Sequence, residues 1–201
     1  MKTIKKDLTV IGAGIAGMCA AITAARKGIT VALLNDRSVL GGNASSEIGV
    51  PVLGSSHHGL SPSIYAKEGG LVEEIRQRLL YAQTNQGYDR DGSKDAVFMD
   101  LIVNEPNIEL FLNTSATAVE TANNTIKSVK AYNVKSETEF EFISAQYADC
   151  SGDGIVGFKA GASFMIGSEA KSQFGETWAT EKPEPYTMGS SMFWAIAATV
   201  T

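Results

Sequence analysis

The residues with the most direct chemical meaning are three glycines, Gly12, Gly14 and Gly17, in the run Gly12-Ala13-Gly14-Ile15-Ala16-Gly17 that follows Asp7-Leu8-Thr9-Val10-Ile11. A glycine turn of this spacing between a strand and a helix suits a pyrophosphate. The first glycine permits the sharp turn, the second lets a phosphate approach the backbone, and the third lets the helix pack close to the sheet. Ala16 lies in the first helical turn, whose N–H groups point at the anion. A second group is Asn35 and Asp36, where a dinucleotide fold places an acid on the ribose about 20 residues after the turn. By register Asn35 holds the strand-end position and its amide can bond ribose hydroxyls, while Asp36 serves if the strand ends one residue later. His57 and His58, the only histidines, lie in the loop Gly49–Ser63 and are the candidates for a general base or for stabilising negative charge, against the plainer reading of a solvent-facing pair.

These groups need a βαβ unit to hold them. Met18 to Lys27 is a good helix stopped by Gly28, and Ile29 to Leu34 is a β-rich apolar run. Further on, Leu71 to Tyr81 has an apolar stripe with Glu73, Glu74, Arg76 and Arg78 as a solvated face. Ala96–Val103 reads as a helix closed by Glu105-Pro106, and Ile108–Leu112 as a buried strand. Residues 116–120, 126–134 and 139–143 form a small antiparallel meander. Gln146–Cys150 is another strand, emptying into Ser151-Gly152-Asp153-Gly154 and a small-residue helix, Ile155–Ala162. Read alone, that turn is a helix start capped by Ser or Asp.

The stretch Ile11–Glu47 runs strand, glycine turn, helix, strand, amide or acid, Arg37, then Leu40-Gly41-Gly42-Asn43 with Ser45-Ser46-Glu47. This order resembles the FAD-dependent oxidoreductase (FAD_oxidored) family of the glutathione-reductase-like and fumarate-reductase-like flavoproteins. Ala148-Asp149-Cys150-Ser151-Gly152-Asp153-Gly154 with Ala160-Gly161-Ala162 matches a second segment of the same family, and the likeness runs from about Lys6 to about Trp194. It departs at Ser168, where the family has arginine. The resemblance implies an α/β fold, a Rossmann-like FAD-binding domain of the glutathione-reductase type with a parallel sheet and an antiparallel β-meander, over 1–163. A second, substrate or cap domain opens over 164–201. It implies FAD as cofactor, held by Gly12, Gly14, Ala16, Gly17, Asn35, Asp36, Arg37, Gly41, Gly42, Asn43, Ser45, Ser46, Ala116, Ser151, Gly152 and Asp153. It also implies hydride transfer from a small-molecule substrate to the flavin N5, with a separate electron acceptor. The alternatives are a nicotinamide-binding dehydrogenase domain and an FAD-binding module without turnover.

Composition narrows the field. With 201 residues, 44% hydrophobic and 19% charged, the chain can bury a sizeable core. A net charge of -5 offers no basic field for nucleic acid. No segment approaches the roughly 18 apolar residues of a spanning helix, and no signal peptide is evident, so a cytoplasmic protein without a membrane partner is expected. Cys19 and Cys150 are too few for a disulfide framework, and the ligands for a metal or iron–sulfur site are missing. The chain closes on an apolar run, Phe193–Thr201, which reads as the first portion of a longer protein. That run suits pairing with another chain, so a homo-oligomer is an open expectation, and the short chain alone is expected not to turn over.

Overall fold

The computed structural model describes residues 1–52, 68–82 and 92–187. His57 and His58 lie outside them. The chain divides into two units, Met1–Ala162 and Ser163–Thr201.

The first unit is built on one six-stranded sheet in the order β3-β2-β1-β6-β5-β4. β1 (Lys2–Ile11), β2 (Val31–Leu34) and β3 (Ile108–Phe111) are parallel, and β6 (Thr138–Asp149) is parallel to β1. β4 (Thr114–Ala122), β5 (Thr125–Asn133) and β6 form the antiparallel meander. The sequence suggests two strands, 139–143 and 146–150, where there is one. β6 pairs with β5 over its first part and with β1 along almost its whole length. Nothing in Ser144-Ala145 forces a turn, and the Ser144 hydroxyl is bonded at 2.7 Å to that of Thr9 on β1.

Helix α1 (Ile15–Arg26) follows the glycine turn. It buries Met18, Ala21, Ile22 and Ala25, the spacing of one helical face. Gly28, at φ +84°, takes the left-handed conformation that ends it. Every residue of β2 is buried, as expected of a parallel strand covered on both faces. One face of the sheet packs Val10 and Leu33 against α1, α2 (Gly70–Tyr81) and α3 (Ser93–Val103), with Ile75, Leu79, Phe98, Leu101 and Ile102 buried between them. The other carries Ile11, Ala32, Leu34, Phe111, Val129, Ala131 and Phe142, with Val156 from beyond the strands packed against them. There the Phe111 and Phe142 rings meet edge to face with centroids 4.9 Å apart. The charged face of α2 is more than solvated surface: Arg26 of α1 bonds Glu74 (2.7 Å) and Glu105 (2.6 Å), and Arg78 bonds Asp100 of α3 at 2.9 Å.

The second unit, described over 163–187, is small and open. It has one four-residue helix, α5 (Lys171–Phe174), and two isolated bridges, Ser168 with Glu184 and Ala170 with Thr180. Phe164, Met165, Ile166, Trp178 and Tyr186 are exposed.

Candidate functional site

At the carboxyl ends of the parallel strands lies a cleft of about 870 Å³. Its position follows from topology, since ligands in open α/β sheets bind where the strand order reverses. Here that point is β1, with β2 on one side and β6 on the other. The lining includes Gly12, Gly14, Ala16, Asn35, Asp36, Arg37, Gly41, Gly42, Asn43, Ala116, Ser151, Gly152 and Asp153. Thirteen of the sixteen residues expected to hold a cofactor are therefore brought together; Gly17, Ser45 and Ser46 are not on the lining.

The three glycines of the turn do different work. Gly12 has φ +99°, and a Cβ there would strike the Cys150 carbonyl and lie 2.8 Å from Ser151 Cα. Gly17 would drive a Cβ into the Gly12 carbonyl oxygen. Both are required by packing. Gly14 is not: its φ is −67°, and the nearest atom to an added Cβ is Gly42 Cα at 4.0 Å. Gly14 stands at the N-cap of α1 with no side-chain cap and no acid in the first turn. The helix thus presents first-turn amides and its positive end to an acceptor from outside the chain.

The Gly41–Ser46 loop is docked directly on this turn. Gly41 N–H donates to the Ala13 carbonyl at 2.9 Å. Gly41 has φ +104°, and a Cβ on it would sit 2.5 Å from the Phe98 ring. Ser45 is buried, and its hydroxyl donates to the Gly42 carbonyl at 2.7 Å. Ser46 gives its amide (2.8 Å) and its hydroxyl (2.5 Å) to the carboxylate of Asp95 on α3. Both serines, expected at the ligand, instead brace the loop.

Asn35, 5% exposed, is also committed within the chain. Its Oδ1 accepts from Ala13 N–H at 3.2 Å, and its Nδ2 donates to the carbonyls of Val39 (2.7 Å) and Arg37 (3.2 Å). Asp36 and Arg37 project into solvent at the cleft mouth, 3.7 Å apart, with Glu47 3.6 Å from Arg37. Across the cleft the register of β4 slips between Ala116 and Ala118, a bulge beside the lining residues Ser115 and Ala116.

The Ser151–Gly154 turn is organised by Asp149, a residue the motif alone does not single out. Its Oδ1 accepts from the Ser151 hydroxyl (2.6 Å) and amide (3.2 Å), and its Oδ2 from Val156 N–H (2.8 Å) and Gly157 N–H (3.0 Å) of α4 (Ile155–Lys159). Burial opposes its charge, but these hydrogen bonds prevail and hold the carboxyl below its ordinary 3.8. A depressed folded pKa stabilises fully above 3.8 and loses that stabilisation as pH falls through the lower, folded value. Asp149→Ala is expected to cost about 2 kcal/mol at neutral pH. In urea titrations its deficit against the unaltered chain should shrink below pH 3.8; a gap independent of pH would show that the carboxylate is not what matters. Burial raises the neighbouring Cys150 thiol, with Asp149 adding to it, and burial raises Cys19 as well.

Among the described residues no His, Cys, Asp and Glu group is placed to hold a metal, and no helix is long and apolar enough to cross a membrane.

The sequence matches the family described as FAD dependent oxidoreductase over residues 7–199. The chain belongs to that family. FAD is therefore its cofactor, and the cleft fits it: an uncapped helix end for the pyrophosphate, open space at Gly14, and a second loop held against the turn. Two solved structures share the fold. Thermovibrio ammonificans THI4 superposes with a TM-score of 0.53 at 16% identity, over 83% of this chain and 67% of that one. An E. coli quinol fumarate reductase FrdA gives 0.51 at 14%, over 75% and 33%. An L-proline dehydrogenase from P. horikoshii gives 0.44 at 19%, over 75% and 23%. This FAD-dependent oxidoreductase chain thus spans only 23% and 33% of the longer two. No protein of curated function matches it by sequence.

Proposed function

We propose that this chain forms the FAD-holding part of an oxidoreductase that takes hydride from a small-molecule substrate and passes the two electrons to a separate acceptor. When bound, FAD supplies the N5 that receives the hydride and the ring that stores the electrons. The chain's own residues bind and orient it. The first turn of α1 takes the pyrophosphate at Gly14 and Ala16, and the strand end at Asn35–Asp36 meets the ribose. The Gly41–Asn43 loop and the Ser151–Asp153 turn line the ribityl and ring side, and backbone at Ala116 faces the adenine. The observation that carries this reading is Gly14, a glycine that no packing among the described residues needs and that an approaching phosphate does.

FAD is expected to bind more tightly than FMN or NAD. FMN lacks the pyrophosphate and adenosine that the turn and strand end would hold, and NAD lacks the ring that the second loop would flank. Titrations followed by flavin fluorescence, with NAD as competitor, test this; equal or tighter binding of NAD would favour the nicotinamide alternative.

A further inference from the structure

Asn35 stands where a dinucleotide fold ordinarily offers an acid to a ribose, yet its side chain faces three backbone groups of its own chain. The chemistry of those partners fixes its orientation. Ala13 N–H needs an acceptor, and the Val39 and Arg37 carbonyls need donors, so both amide hydrogens are spent. The main chain of Asn35 is held as firmly: its N–H donates to Phe111 at 2.9 Å and its carbonyl accepts from Thr114 at 2.8 Å. Only a neutral amide can serve all three side-chain partners at once. A carboxylate would accept from Ala13 but would set negative charge against two carbonyl oxygens in a buried site. Asp36 next to it has a side chain 59% exposed, and it lies on the cleft lining.

We propose that Asn35 is a positioning residue that clasps the glycine turn to the segment leading into the Gly41–Ser46 loop, and that Asp36 accepts the ribose hydroxyls. The proposal rests on FAD occupying the cleft as described above. Its consequence runs against the motif: installing the customary acid at position 35 harms cofactor binding.

The test compares FAD dissociation constants of the unaltered chain, Asn35→Asp and Asp36→Ala at pH 8 and pH 5.5. Asn35→Asp should bind about tenfold or more weakly at pH 8, the scale of leaving a buried group unpaired. Burial and the two carbonyls raise the introduced carboxyl, which when protonated can again donate to one of them. Binding should therefore recover about fivefold at pH 5.5, one net hydrogen bond, relative to the unaltered chain at both pH values. The charged groups near the site are Asp36, Arg37 and Glu47; the residues that contact Asn35 from the glycine turn and the β3–β4 junction, Ala13, Phe111 and Thr114, carry none. Asp36→Ala should weaken binding about tenfold with no change in apo stability. Tighter binding by Asn35→Asp, or unchanged binding by Asp36→Ala, overturns the proposal. If Asn35→Asp fails to fold, Asp36→Ala decides alone. If the unaltered chain takes up no FAD, the proposed function fails. The clasp is then decided by the Ala13 amide, whose hydrogen exchange should quicken at least about tenfold in Asn35→Ala; an unchanged rate overturns it.

Discussion

Gly14→Val should leave the apo fold intact and remove FAD binding. At φ −67° and ψ 177° the backbone at Gly14 is extended, a conformation a β-branched residue adopts readily. Among the described residues an added Cβ meets only Gly42 Cα, at 4.0 Å, an ordinary van der Waals contact. The stability change is expected to stay below about 1 kcal/mol, the cost of a poorer N-cap residue. The valine methyl groups would occupy the approach to the first-turn amides, so FAD affinity should fall at least about 100-fold, or about 2.7 kcal/mol. Urea unfolding of the apo chain and FAD titration of the same preparation measure both. Retained binding would mean that the pyrophosphate lies elsewhere, and lost stability would mean that Gly14 is a packing residue after all.

The opposite outcome is expected two residues earlier. Gly12→Ala must hold a side chain at φ +99° and press its Cβ into the Cys150 carbonyl and the Ser151 backbone. Positive φ and overpacking each cost on the order of 1–3 kcal/mol, so about 3 kcal/mol of apo stability should be lost. Cys150 cannot simply retreat, because its amide donates to the Ile11 carbonyl at 2.7 Å, just past the end of the β1–β6 ladder. A shift of the urea midpoint worth less than about 1 kcal/mol would show that the turn is softer than its contacts imply. Together the two variants separate glycines the fold needs from the one the ligand needs.

The βαβ unit was legible because its signals are local: an apolar run, glycines at fixed spacing, an alanine-rich helix and a stop. The same holds for the meander, where turn residues separate apolar runs. What escaped depends on partners distant in sequence. β6 reads as two strands because its middle, Ser144-Ala145-Gln146, has weak β preference; only β1, aligned beside it from Lys2 to Ile11, makes it continuous. α3 starts at Ser93, ahead of Ala96, and its added first turn carries Asp95, which accepts from Ser46 of a loop distant in sequence. Ser45, Ser46 and Asn35 look like ligand-facing polar groups, and composition cannot tell a hydroxyl or amide offered to a ligand from one satisfied by the backbone. Asp149 was overlooked for the converse reason. Its four hydrogen bonds go to groups within eight residues, a local capping pattern hidden beneath a stronger glycine motif.

The pairing of the first strand with the last of the sheet also sets an order of events during synthesis. β1 and its glycine turn leave the ribosome before α1–α3 and β2–β5, and β6 and the Cys150–Asp153 wall of the cleft emerge only after these. At cellular elongation rates that interval is on the order of ten seconds. During it the edge of β1 that β6 will occupy offers unpaired N–H and C=O groups. Such long sequence separations slow folding, because the chain must close its largest loop before the contacts that reward closure exist. The nascent chain therefore cannot be loaded with cofactor strand by strand, and a chaperone that shields β1 should raise the yield of loaded protein more than added FAD does.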